Sequence, residues 1–149
     1  MTKTSKISYL FVAIIFFIIF DIYFSNIMMN CVETMSSNPV FDLIFIQNTG
    51  AAFSILENSK IFLISFSAFA ILAMIVYLIK NIQKASSFAI FWASLLIAGV
   101  FCNMYERIAY GYVRDFFKLN FIDFPVFNIS DIFINISVVA IVIIIITNE

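Results

Sequence analysis

The stretch IFLISFSAFAILAMIVYLI, residues 61–79, carries no charge. A helix needs roughly 20 predominantly apolar residues to cross the hydrocarbon core of a bilayer. In lipid the backbone must satisfy its own hydrogen bonds, so a spanning segment is a helix or part of a closed barrel. This run is long and does not alternate, which predicts a transmembrane helix.

Three other runs have the same character. They cover about 7–24, interrupted only by Asp21, then 85–105 without charge, and 131–147. The chain of 149 residues is 64% hydrophobic and 11% charged, against about 45–50% and about 25% for ordinary soluble domains. The expected fold class is an α-helical integral membrane protein with four transmembrane helices, as a single domain over residues 1–149. The first run follows Lys3 and Lys6 as in a secretory leader. No small-residue cleavage site comes after it, and three more spans do, so it reads as a retained helix.

The lysines set the orientation. Lys3 and Lys6 precede the first span, and Lys80 and Lys84 lie in KNIQK between the second and third. These regions share a side, which the positive-inside rule makes cytoplasmic. Both termini are then cytoplasmic, and segments 25–60 and 106–130 lie outside. Arg107, Arg114 and Lys118 break the rule there, so at least one of them should have a specific task. FDLIFIQ (41–47) and FFKLNFIDF (116–124) read as short strands. They predict a small β-cradle on the outer face of the bundle, with a turn at Ser36, Ser37, Asn38 and Pro39.

Composition also excludes. The chain has no histidine, which removes Ser-His-Asp and Cys-His catalysis and most zinc sites. No metal or cofactor is expected. A net charge of -1 leaves no nucleic-acid footprint. Cys31 reads as outside the membrane and Cys102 as within a span, so no disulfide is expected. The residues MMN before Cys31 lack the small residue that lipid attachment would require. Any acid–base work falls to Asp, Glu, Lys, Tyr or Cys.

Glu33, Asp42, Glu57 and Asp123 read as solvated or interfacial acids, and Glu149 as a terminal charge. Asp21 lies about one turn inside the first span, where an ionisable group is a functional-site hypothesis by default. Glu106 ends the third span on the face of Asn103, and a local ion pair with Arg107 is its simplest role. Asp131 opens the fourth span. With Asn128 as N-cap it resembles a capping box, and an acid there suits the helix dipole. Asp115 sits among aromatics in YGYVRDFF (110–117). If the outer ends of spans three and four adjoin, Asp115 and Asp131 face each other. Two close carboxylates share a proton, so one serves as base while the other serves as acid. That is the minimum equipment for peptide hydrolysis without histidine, serine or metal. For Asp131, helix start and catalysis both stand at this point.

Three ordered stretches then resemble a known family, the lipoprotein signal peptidases (signal peptidase II). NTGAAFSIL (48–56) is similar to its N-x-G-A-A-F block. NMYERIAYGYVRDFF (103–117) is similar to G-N-x-x-D-R followed by V-x-D-F, and FNISD (127–131) to F-N-x-A-D. The resemblance covers nearly the whole chain. It implies a membrane aspartyl endopeptidase with Asp115 and Asp131 as catalytic pair. Asn48, Gly50, Asn103, Glu106, Arg107, Asn128 and Asp21 would support the site or bind substrate. It implies a diacylglyceryl-prolipoprotein substrate cut before the lipidated cysteine, in contact with membrane lipid, and a bacterial cytoplasmic membrane location with the site near the outer surface. A monomer is expected. The departures are Glu106 for Asp, Cys102 for Gly, Asn26 for the lysine after Asp21 and Ser25, and Ser130 for Ala. The alternatives are a catalytically impaired relative and a non-enzymatic small membrane transport or assembly protein.

Overall fold

A computed structural model describes residues 1–32, 39–50, 56–57 and 59–147. The turn expected at 36–38, Glu33, Glu149 and residues 51–55 of the NTGAAFSIL block lie outside the described residues. The elements are α1 (Lys3–Cys31), β1 (Phe41–Asn48), α2 (Lys60–Asn81), α3 (Ser87–Ala109), β2 (Val113–Leu119) and α4 (Ile129–Thr147). All four helices are long and apolar enough to cross a membrane. The chain is an α-helical integral membrane protein with four spans and a small two-stranded sheet.

The helices start where side chains replace missing backbone partners. Thr2 accepts from Ser5 N at 3.2 Å, and Ser86 from Ala89 N at 3.0 Å. α4 opens with the expected capping box: Asn128 Oδ1 accepts from Asp131 N at 2.9 Å, and Asp131 Oδ2 accepts from Asn128 N at 3.2 Å.

α3 is the central element and packs against α1, α2 and α4. Leu10, Ile14, Ile82, Ile90 and Ile97 form the buried apolar cluster. Elsewhere Ile, Val and Phe face outward, as on Phe62, Phe66 and Phe69 of α2. An apolar exterior of this extent suits lipid rather than water. Gly99 lets α3 approach α4: a Cβ there would stand 2.8 Å from the Ser130 carbonyl oxygen and 2.9 Å from Ile134 Cγ1. Lys6 Nζ donates to the carbonyls of Gln83 (3.1 Å) and Ala85 (2.6 Å), so the N-terminus and the α2–α3 link share one end of the bundle. The sheet lies at the other.

Two expectations change. α3 runs four residues past Tyr105, through Glu106 and Arg107 to Ala109. The two charges do not end the helix, because both residues are buried with polar partners. The second strand is Val113–Leu119 rather than 116–124. Val113, Arg114, Asp115 and Phe116 are buried in succession, and a strand covered on both faces has no period-two signal. β1 and β2 pair antiparallel from Phe41↔Leu119 to Asn48↔Val113, with an irregularity between Leu43 and Ile46. Beyond Leu119 the chain doubles back, and Phe127 pairs with Phe117. A two-stranded ribbon is marginal alone. Here Phe117 packs against Phe24 of α1, Phe41 of β1 and Phe127.

Gly99→Val should overpack the α3–α4 seam. The expected loss is about 1–3 kcal/mol, read as a lower thermal unfolding midpoint in detergent.

Candidate active site

At the sheet end, β2 and the first turn of α4 bring two carboxylates to one cluster. Asp115 Oδ2 accepts from Asn48 Nδ2 at 2.9 Å, and its Oδ1 accepts from Asn128 Nδ2 at 2.8 Å. Asp131 Oδ1 accepts from Asn103 Nδ2 at 2.9 Å, and its Oδ2 from the Asn128 backbone N–H. Asn128 therefore binds both acids, one with its side chain and one with its backbone. Its Nδ2 also donates to Asn103 Oδ1 at 3.2 Å. The helix start and the carboxylate cluster turn out to be the same arrangement.

Asp115 is 2% exposed. Burial, and secondly the negative charge of Asp131, push its carboxyl up from 3.8 to about 7, against the opposing hydrogen bonds from Asn48 and Asn128. Below about pH 7 such a group holds a proton that an ordinary aspartate has lost.

Arg107 donates through Nη1 to the Asn103 carbonyl at 3.0 Å and through Nη2 to the Gly50 carbonyl. Gly50 N in turn donates to Asn48 Oδ1 at 3.0 Å. Arg107 thus ties α3 to the loop after β1, and its charge attracts Asp131 and Asp115. Its buried Nε has no partner among the described residues.

Asn48, Asn103, Arg107, Asp115 and Asp131 line a cavity of about 570 Å³. Leu63, Phe66, Ser67 and Ala70 of α2 and Ile134 and Asn135 of α4 also line it. Glu57, read as a solvated acid, is exposed and also lines the cavity. Asp123 is exposed, as expected.

Glu106 and Asp21 stand behind this layer and do not line the cavity. The expected Glu106–Arg107 pair is replaced by another. Consecutive helical residues do not face each other, and Glu106 turns to Arg114. Its Oε2 accepts from Arg114 N at 2.7 Å, and its Oε1 from Nε at 2.8 Å and Nη2 at 2.6 Å. Arg114 also donates to Asn26 Oδ1 at 3.1 Å and stacks over Tyr110. Asp21 accepts from the Ser130 hydroxyl at 2.6 Å. Local spacing assigns no partners to Arg114, Asn26 and Ser130. The one usable signal was the pair of arginines on the side that should lack positive charge.

Fold and site together define a membrane-embedded enzyme. Two solved bacterial membrane enzymes, both determined by the in meso method, have this fold. One, at 2.3 Å resolution, matches with a TM-score of 0.79 and 26% identity over 93% of this chain and 88% of that one. The other, at 1.9 Å, matches with a TM-score of 0.74 and 28% identity over 94% of each. The model of the signal peptidase (SPase) II family matches residues 12–147, and the chain belongs to this family of lipoprotein signal peptidases, which are proteases. The lipoprotein signal peptidase of Streptococcus thermophilus is 39% identical over 80% of this chain and 77% of its own length. That of Buchnera aphidicola is 38% identical over 92% and 94%. A transport or assembly role draws no support.

The departures from the family pattern fall in the layer behind the cavity. Asn26 serves Arg114, Glu106 grips both the backbone and the guanidinium of Arg114, Ser130 supplies Asp21, and Cys102 is buried in α3.

The raised value of Asp115 has a consequence for stability. Folding favours its neutral form, so its stabilising contribution is fully present below about pH 4 and is lost as pH rises through about 7. Asp115→Asn should therefore raise the thermal unfolding midpoint at about pH 8 and change it little at about pH 4. Circular dichroism melts at the two pH values check this.

Proposed function

We propose that the protein is an aspartyl endopeptidase that removes signal peptides from diacylglyceryl-modified prolipoproteins, cutting before the lipidated cysteine, with Asp115 and Asp131 as its catalytic pair. The observation that carries this reading is the Asn128 bridge, which holds both carboxylates at the wall of one cavity. The pair keeps one proton, resting on Asp115, and Asp131 is the ionised base.

Asp131 takes a proton from a water molecule as the water oxygen attacks the scissile carbonyl. The Asp115 proton goes to the carbonyl oxygen. When the tetrahedral intermediate collapses, the C–N bond breaks, the amine leaves with the proton held by Asp131, and Asp115 recovers its own. The products are a new carboxyl group and a new amine, with no net change of charge on the pair.

Asn48, Asn103 and Asn128 orient the carboxylates, and Gly50 and Arg107 fix the end of β1 that carries Asn48. Glu106 and Asp21 support from behind. Ideal first-turn placement of Asp131 also puts the positive end of the α4 dipole beside it, which favours the ionised base.

Lys3, Lys6, Lys80 and Lys84 share the end without the sheet, so that end is cytoplasmic with both termini, and the site lies near the outer surface of a bacterial cytoplasmic membrane. The four helices form one domain around α3. Both acids and the cavity come from one chain, so a monomer suffices.

Asp115→Asn and Asp131→Asn should each lower prolipoprotein processing by about 10⁴-fold or more, whereas Asp123→Asn should process normally. Full processing by either of the first two variants refutes the assignment. Activity also requires the shared proton, so kcat/KM should fall as pH rises through about 7. Asn48 stabilises ionised Asp115, so Asn48→Ala should move that fall to higher pH. A pH–rate profile of both proteins checks the shift.

A further inference from the structure

Asn135 lines the main cavity and also heads a second, shallow furrow of about 320 Å³ on α4, whose other lining residues are Ile136, Val139, Ala140 and Ile143. Ile136, Val139 and Ile143 are exposed on a membrane-spanning helix, so the furrow opens to lipid. An amide among them is costly unless its polar atoms find partners. Asn135 Nδ2 donates to the Asp131 carbonyl at 2.8 Å, one turn back along α4. That uses one of its two amide hydrogens. Among the described residues the other hydrogen and Oδ1 have no partner.

The position suggests what uses them. Asn135 follows Asp131 by four residues, about 6 Å along the helix axis. The thioether and glycerol carbons between a lipidated cysteine and its ester carbonyls span a comparable distance. We infer that Asn135 donates its second amide hydrogen to an ester carbonyl of the substrate's diacylglyceryl group, while the furrow below it holds one acyl chain. A polar head followed by an apolar track matches an amphipathic lipid, and Asn135 borders both the furrow and the catalytic cavity. Ala140 supplies depth, since a larger side chain there would fill the track. Asn135 is a positioning residue, remote from the bond that breaks. The inference rests on the peptidase reading and adds how the substrate's lipid is recognised.

The test compares two synthetic prolipopeptides, one carrying a dipalmitoyl diester and the other the matching dihexadecyl diether, which lacks both carbonyls. One ordinary hydrogen bond corresponds to a change of about three- to tenfold. Wild type should prefer the diester by about that factor in kcat/KM, mainly through KM. Asn135→Val should lose the preference and cut diester and diether with equal kcat/KM, and its measurable cleavage of the diether shows that the variant folds. Ala140→Phe should raise KM for the dipalmitoyl peptide and leave a diacetyl peptide unaffected. Equal loss by Asn135→Val on both long-chain peptides, or no loss on either, overturns the inference while leaving the peptidase reading intact. If wild type cuts neither peptide, both fall.

Discussion

The site depends on the bridge made by Asn128. Its side chain holds Asp115 of β2, and its backbone N–H holds Asp131 of α4. The same residue caps α4 through Asn128 Oδ1 and Asp131 N. A capping box is a local device for starting a helix. Here it also sets the position of one carboxylate against another that is distant in sequence. Without β2 beside the start of α4, the cap would still form, but the pair would not.

That juxtaposition is secured from behind by buried polar contacts. Glu106 of α3 grips Arg114, the residue before Asp115, and Arg114 reaches Asn26 of α1. Asp21 of α1 holds Ser130, the residue before Asp131. Each acid of the pair thus has an anchored neighbour. A buried charge without a partner is strongly destabilising, so these contacts constrain the approach of α1 to the sheet and to α4. Gly99 closes the remaining side by allowing α3 to lie against the first turn of α4.

Much of this was legible in the sequence. The uncharged run 61–79 and its three companions announce four spans because lipid leaves few other options. The span ends were less legible. Glu106 and Arg107 look like the polar end of α3 when charge is scored residue by residue, yet tertiary partners keep them helical and buried. β2 was misplaced because Val113–Phe116 is covered on both faces. Arg107 is the neighbour of Glu106 in sequence, but adjacent helical residues diverge and the true partner comes from another element. The capping pattern of Asn128 and Asp131 is legible, but spacing alone does not show that the cap and the paired acids coincide. Asn48, Asn103 and Arg107 drew notice through motif resemblance, and only the fold shows which atoms they hold.

The central claim is that the carboxylate pair held by Asn128 shares one proton, which sits on Asp115 below neutral pH. Infrared difference spectroscopy of the protein in lipid, titrated with pH, observes a protonated buried carboxyl directly. The account predicts a carboxylic-acid band in the wild type that disappears as pH rises through about 7 and is missing from Asp115→Asn. Absence of that band from the wild type below neutral pH, or its unchanged titration in Asp115→Asn, would contradict it.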